Sequence, residues 1–131
     1  MDTSIPTSVL LLDDEQLLLD LYVDGFKSAG YAPVAFTSGN DALETLRSAP
    51  APRVILFDIH MPDMNGFEFL EAVKKEGLAP ESLMIALTNE SKEEDTKRIM
   101  DLGASGHFVK SQLSPKDLVG AVQGLLEKPA A

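Results

Sequence analysis

Cysteine is absent from this chain of 131 residues. Its absence excludes disulfides, thiolate zinc sites, iron–sulfur clusters and cysteine nucleophiles. Basic residues are scarce: 11 Lys and Arg stand against 21 Asp and Glu, which gives a formal net charge of −10. This charge argues against direct binding to nucleic acid or to an anionic membrane, because the phosphates of either partner would be repelled.

Long hydrophobic runs are missing as well. The longest uninterrupted apolar stretch is Leu83–Leu87, far short of the roughly 20 residues that a membrane-spanning helix needs. No basic region precedes the first apolar run, so no signal peptide is predicted and we expect a cytoplasmic location. The length fits one domain, so we expect residues 1–131 to form a single domain, with no output domain present.

Five short apolar runs predict β-strands. The first, third and fourth runs lack polar alternation, as expected for strands that are buried on both faces of a parallel sheet. The second run, flanked by Pro33 and Thr37, is expected at an edge of the sheet. The five runs are Val9–Leu12, Val34–Phe36, Val54–Phe57, Leu83–Leu87 and Gly106–Val109.

Helical segments with recognisable start signals separate these runs. Ser38, Asn65, Ser91 and Ser114 are the expected N-caps of the second to fifth helices, because a side-chain oxygen can accept from a free amide of the first turn. Gly30 is expected to end the first helix. Apolar residues at three- and four-residue steps predict the buried face of that helix: Leu18, Leu21, Tyr22, Gly25, Phe26 and Ala29.

The alternation of strand and helix predicts an α/β fold. Parallel strands need crossover connections, and these are right-handed in nearly all proteins. The result is a five-stranded parallel sheet with helices on both faces. A closed eightfold barrel would need about twice the length of this chain.

Chemically active side chains follow four of the five predicted strands. In an open parallel sheet, ligands bind at the carboxyl ends of the strands. Each residue alone has an ordinary explanation as a helix cap, a turn residue or a surface charge. Their coincidence at one edge of the sheet favours a functional site composed of Asp13, Asp14, Asp58, Thr88 and Lys110.

These residue types suit phosphoryl transfer. Three converging carboxylates raise one another's pKa or require a cation, and Mg²⁺ is the cation that carboxylate oxygens, waters and phosphate suit best. Lys110 offers a positive charge and Thr88 a hydroxyl donor to phosphoryl oxygens. Asp58 is the best candidate nucleophile because it follows the central strand, so in-line transfer of a phosphoryl group onto Asp58 is predicted.

The motifs resemble those of response-regulator receiver domains of two-component signalling, including the single-domain chemotaxis type. The resemblance runs from about Ser8 to Glu127 and implies a (βα)5 flavodoxin-like fold. It rests on the pair Asp13-Asp14, the loop Asp58-x-x-Met61-Pro62-x-x-x-Gly66, Thr88, and Lys110 after Gly103-Ala104-x-Gly106.

The resemblance implies that Asp58 is the phosphoacceptor. Its donor would be the phosphohistidine of a sensor histidine kinase or a histidine phosphotransfer protein. Asp13, Asp14, Asp58 and the main-chain carbonyl of His60 would bind Mg²⁺, for which Mn²⁺ can substitute. The protein would then not be an enzyme in the usual sense, since it catalyses only its own phosphorylation and dephosphorylation.

The resemblance also implies a switch. Thr88 would move toward the phosphoryl group, with His107 at the family's second switch position, and change the surface of the fourth helix, fifth strand and fifth helix. That surface would contact a downstream protein target or a fused output domain, or form a homodimer. His107 stands where the family usually has Tyr or Phe, so an exposed polar residue without a switching role is the alternative.

Ser111 is a second departure, because the family usually has a proline in a cis peptide bond after the lysine. A cis bond before a non-proline residue costs roughly 2.5–4 kcal/mol, so we predict a trans bond or a rearranged loop. Such a change threatens the placement of Lys110.

Two alternatives stay open from the sequence. One is a pseudo-receiver, a binding module that keeps the fold without being phosphorylated. The other is a Mg²⁺-dependent phosphohydrolase similar to haloacid dehalogenases. Those enzymes carry a second acid two residues after the nucleophile, where this chain has His60.

Overall fold

The computed structural model describes residues 6–89 and 92–127. Within these ranges five parallel strands form one sheet in the order β2-β1-β3-β4-β5. The prediction of a five-stranded parallel α/β fold is therefore confirmed, with the second strand at an edge. The strands are β1 (Ser8–Leu12), β2 (Ala32–Phe36), β3 (Val54–Asp58), β4 (Leu83–Thr88) and β5 (Gly106–Val109).

Five helices connect and follow the strands, and a single 3₁₀ turn (Lys110–Gln112) lies between β5 and the last helix. Ser38, Asn65 and Ser114 each accept a hydrogen bond from the amide three residues later, which confirms them as caps. Ser91 lies outside the described residues. The helices are α1 (Gln16–Ser28), α2 (Gly39–Ser48), α3 (Gly66–Lys75), α4 (Glu93–Asp101) and α5 (Pro115–Glu127).

The sheet separates two hydrophobic cores. Successive residues of a strand point to opposite faces, so Leu10 packs with α2, α3 and α4 while Leu11 packs with α1 and α5. The central strands are covered on both faces, which explains why their sequences lack polar alternation. Phe69 of α3 and Phe26 of α1 are fully buried in the first and second core, respectively.

The predicted buried face of α1 is partly wrong. The buried residues of this helix are Leu19, Tyr22 and Phe26, whereas Leu21 is 54% exposed. Three consecutive leucines, 17–19, allow more than one phase of an apolar stripe, and packing against the sheet and α5 selects Leu19. Gly30 has a positive φ of 90° directly after the end of α1, as the predicted helix stop requires.

The strand order also determines where a ligand can bind. β1 pairs with β2 on one side and with β3 on the other, so the connections that leave these strands diverge to opposite faces of the sheet. This divergence opens a crevice at the carboxyl ends of β1 and β3. None of the helices in the described ranges combines the length and apolar character that crossing a bilayer requires.

Candidate functional site

The carboxyl ends of β1, β3 and β4 carry the buried polar residues of the described chain: Asp13, Asp58 and Thr88. Asp13 follows β1, and its amide donates to the carbonyl of Phe36 on β2. Asp58 and Thr88 are the last residues of two paired strands. The structure thus brings the predicted residues to one edge of the sheet.

Lys110, directly after β5, joins the two buried carboxylates. Its Nζ lies 2.7 Å from Asp13 Oδ2 and 3.1 Å from Asp58 Oδ2, so it forms an ion pair with each carboxylate. The side chain is only 6% exposed. The ammonium therefore supplies the counter-charge that two buried acids require.

The described residues contain no cis peptide bond, so the Lys110–Ser111 bond is trans, as predicted. The 3₁₀ turn that starts at Lys110 accommodates the trans bond, and the Ser111 hydroxyl lies 3.4 Å from the carbonyl oxygen of Asn89. The expected threat to the placement of Lys110 is not realised, since its ammonium reaches both acids.

Burial and charge shift the pKa values of this cluster. The pKa of Asp58 is raised to about 6, mainly by burial and in part by the charge of Asp13, while Lys110 opposes the change. For Lys110, burial alone would lower the pKa, but the contacts with the two carboxylates outweigh it and the pKa is raised. Two buried acids therefore share one ammonium.

Three carboxylates are arranged so that they could hold a cation. Asp13, Asp14 and Asp58 each offer a carboxylate oxygen, and these oxygens lie within 4.8 Å of one another. Asp14 is exposed while the other two are buried, so an ion among them would keep contact with solvent. Oxygen-only ligands with room for waters fit Mg²⁺. The role of the His60 carbonyl as a further ligand stays a prediction.

One buried polar atom of the site lacks any partner within the described residues: the hydroxyl oxygen of Thr88. Buried polar groups without partners are rare in folded proteins and require an explanation. Lys110 Nζ and Asp13 Oδ2 pair with each other. An anionic ligand with several acceptor oxygens would accept from the Thr88 hydroxyl and contact the Lys110 ammonium.

Position 66, the first of α3, has room only for glycine, because the end of β3 passes close to the start of α3. A Cβ atom here would lie 2.6 Å from the carbonyl oxygen of Asp58 and 2.7 Å from Ile59 Cα. The positive φ in this loop belongs to Asp63 and not to Gly66. The amide of Gly66 donates to the Ile59 carbonyl, which draws α3 onto the end of β3.

Substituting Gly66→Ala is expected to lower the free energy of unfolding by about 1–3 kcal/mol, because the added methyl group overlaps backbone atoms. The matched control is Gly120→Ala in α5, where a Cβ meets nothing within 4 Å and where alanine should stabilise the helix by about 0.5–1 kcal/mol. Urea unfolding measures both. Equal effects of the two substitutions would contradict this interpretation of Gly66.

The two histidines occupy different parts of the site. The amide of His60 donates to Asp58 Oδ1 at 3.2 Å, and its ring Nε2 lies 3.3 Å from Asp95 Oδ2 on α4. His107 is half-buried on β5, next to Ala86 of β4, and its ring has no hydrogen bond within the described residues. Its role as a switch residue stays a prediction.

Two residues near the site were not identified from the sequence. Asp95 looked like an ordinary acid of a helical first turn. Tyr22 was expected only in the core, yet its phenol is close enough for the charges of Lys110, Asp13 and Asp58 to affect its pKa. Burial raises the pKa of Tyr22 to about 12, so it remains a neutral phenol beside the carboxylates.

Known proteins share this arrangement of sequence and fold. The family model for the response regulator receiver domain matches residues 9–123. Response regulator SaeR of Staphylococcus aureus is 33% identical over 122 residues, which cover 93% of this chain and 51% of SaeR. The chain thus spans about half the length of the curated relatives it matches.

Solved structures of receiver domains and a chemotaxis response regulator have a similar fold. Chemotaxis response regulator CheY4 of Vibrio cholerae superposes with a TM-score of 0.84 at 29% identity, covering 92% of this chain and 99% of CheY4. The BeF3-activated receiver domain of DrrB, a protein of Thermotoga maritima, gives a TM-score of 0.79 at 25% identity and covers 95% and 100% of the two chains.

Proposed function

Because the chain belongs to the response-regulator receiver domain family, we propose that it is a phosphoacceptor switch in which Asp58 receives a phosphoryl group. The observation that carries this proposal is the buried cluster around Asp58, in which Lys110 contacts Asp58 and the Thr88 hydroxyl has no partner within the described residues. An ammonium and a free hydroxyl beside three carboxylates suit a phosphoryl group and a cation bound side by side.

Asp58 acts as the nucleophile. Its pKa of about 6 leaves the carboxylate mostly ionised at pH 7, so an oxygen lone pair is available to attack phosphorus. One O–P bond forms as the P–N bond of a phosphohistidine breaks, and the imidazole nitrogen leaves with the electron pair. The donor we propose is therefore a sensor histidine kinase or a histidine phosphotransfer protein.

Lys110 and Thr88 hold the transferred group. The Lys110 ammonium already lies 3.1 Å from Asp58 Oδ2, so it is positioned to neutralise a phosphoryl oxygen. The Thr88 hydroxyl, buried and without a partner in the described structure, can donate to another oxygen. Lys110 is in place before transfer, whereas Thr88 would move toward the transferred group.

The residues proposed to hold Mg²⁺, or Mn²⁺ in its place, are Asp13, Asp14, Asp58 and the main-chain carbonyl of His60. When bound, the ion supplies positive charge that stabilises the phosphoryl oxygens. Without the ion, the negative charges of Asp13 and Asp14 would repel a phosphate donor. Phosphorylation should therefore depend on the divalent cation.

The output we propose is a population shift. A phosphoryl group that binds one arrangement of Thr88 better than another biases the protein toward that arrangement. The affected surface would be α4, β5 and α5, with His107 on its central strand. Its partner would be a downstream protein, a fused output domain or a second copy of the chain.

Intact-mass spectrometry after incubation with acetyl phosphate tests the proposal. We expect a Mg²⁺-dependent gain of one phosphoryl group by the unaltered chain, loss of that gain in Asp58→Asn, and retention in Asp63→Asn, which removes an exposed acid of the same loop. Modification that persists in Asp58→Asn would contradict the assignment. Absence of modification by acetyl phosphate and by a phosphorylated histidine phosphotransfer protein would favour a pseudo-receiver, and repeated turnover of phosphate esters a phosphohydrolase.

A further inference from the structure

Helix α4 is weakly anchored to the rest of the protein. Of its nine residues only Ile99 is buried. In the second half of the helix, the guanidinium of Arg98 lies 4.1 Å from the centre of the Phe67 ring on α3. The first turn is entirely polar and begins with three acids, 93–95. Packing therefore fixes the C-terminal half of α4 but not its first turn.

A side-chain contact joins this first turn to the loop after Asp58. His60 Nε2 lies 3.3 Å from Asp95 Oδ2, and the two side chains are 47% and 24% exposed. At the other end of His60, the backbone amide donates to Asp58 Oδ1. One residue thus touches both the nucleophile and α4.

A phosphoryl group on Asp58 changes the charges around His60. It adds negative charge and acceptor oxygens on the carboxylate that the His60 amide already contacts. The new oxygens and Asp95 would compete for the same imidazole ring, and like charges would repel Asp95 together with the neighbouring acids of the first turn. Both effects separate α4 from the loop.

We propose that Asp95 is a positioning residue that acts through His60: their contact, the His60–Asp95 latch, holds the first turn of α4 in the unphosphorylated protein and opens when Asp58 is phosphorylated. The opening step rests on the proposed function. The closed latch rests only on the observed contact, so the two parts can be tested separately.

The closed latch is tested by hydrogen–deuterium exchange of the amides in residues 93–97. Asp95→Asn and His60→Ala should each raise exchange there by about two- to five-fold, the range expected for a partly exposed polar contact. The double variant should exchange no faster than either single variant, because both substitutions remove the same contact. Asp95→Glu, which keeps the charge and adds reach, should restore slow exchange in part.

Glu94→Gln is the matched control. It removes one acid from the same turn, and so the same favourable interaction with the helix N-terminus, but its side chain is exposed and makes no ion pair with His60. If Glu94→Gln raises exchange as much as Asp95→Asn does, the helix dipole explains the effect and the latch is wrong. Additive effects of His60→Ala and Asp95→Asn would also overturn it.

The opening step is tested by repeating the measurement with Mg²⁺ and acetyl phosphate, while intact mass reports phosphorylation. In the unaltered chain, exchange at 93–97 should rise toward the level of Asp95→Asn, and in Asp95→Asn it should change little. A fully phosphorylated chain with unchanged exchange would refute the opening step. A chain that stays unmodified by mass would refute the proposed function, while the comparison among unphosphorylated variants still decides whether the latch exists.

Discussion

Replacing Lys110 by alanine is expected to destabilise the metal-free protein by about 3–5 kcal/mol at pH 7, the usual loss when one member of a buried ion pair is removed. The ammonium lies within 3.1 Å of both Asp13 and Asp58, and both carboxylates are essentially inaccessible to water. Without Lys110 they would face each other with no cation between them. Urea unfolding in the presence of EDTA measures the loss.

Two further variants test whether the loss of stability comes from the charge of Lys110. Lys110→Met keeps most of the side-chain volume, so it should lose nearly as much stability as the alanine variant if charge is the cause. Lys97→Ala removes a lysine whose side chain is 78% exposed and should change stability by less than about 0.5 kcal/mol. Addition of Mg²⁺ should recover part of the stability of Lys110→Ala, since the ion replaces the missing charge. A loss below about 1 kcal/mol in both Lys110 variants would refute this account.

The opposite substitution, Asp58→Asn, should stabilise the metal-free protein by about 2–3 kcal/mol at pH 7. Folding raises the pKa of Asp58 from 3.8 to about 6, so the folded state favours the neutral carboxyl and ionisation opposes folding. One pKa unit corresponds to about 1.4 kcal/mol. Lys110 keeps its contact with Asp13 at 2.7 Å in this variant, so the ammonium is not left alone.

The sign of the pH dependence follows from the raised pKa. The stability that Asp58 contributes is fully present below pH 3.8 and is lost as the pH rises through about 6. The advantage of Asp58→Asn should therefore be near zero at pH 4, grow between pH 4 and 6, and level off above that range. Urea unfolding of both proteins at several pH values in EDTA measures the difference in stability. The contributions of the other acids are common to both proteins and largely cancel. An advantage that does not vary with pH would contradict the raised pKa.

The location of the site could be predicted from the sequence because it depends on one general rule. Once the apolar runs are assigned to parallel strands, the residue after each run must lie at the same edge of the sheet. Asp58, Thr88 and Lys110 needed no further information. The contact of Lys110 with Asp13 and Asp58 was not predicted, because Lys110 was expected to bind phosphoryl oxygens.

Other features depend on distances that no short segment of sequence encodes. Leu19 and Leu21 are both leucines on one helix, and only the packing of α1 against α5 and the sheet decides which is buried. The need for glycine at position 66 comes from the backbone of Asp58 and Ile59, which approach it closely in space. The approach of His60 to Asp95 joins a loop to a helix 35 positions further along the chain, with no local signal.

The single buried side chain of α4 also bears on how such a protein can diversify. The other eight positions of this helix are half-buried or exposed, and substitutions at exposed positions usually change stability by less than about 0.5 kcal/mol. Most of the helix can therefore accept new side chains while Ile99 keeps it in place. A lineage that duplicated this chain could give each copy a different α4 surface, and so a different partner, while the acidic site at the sheet edge stayed the same.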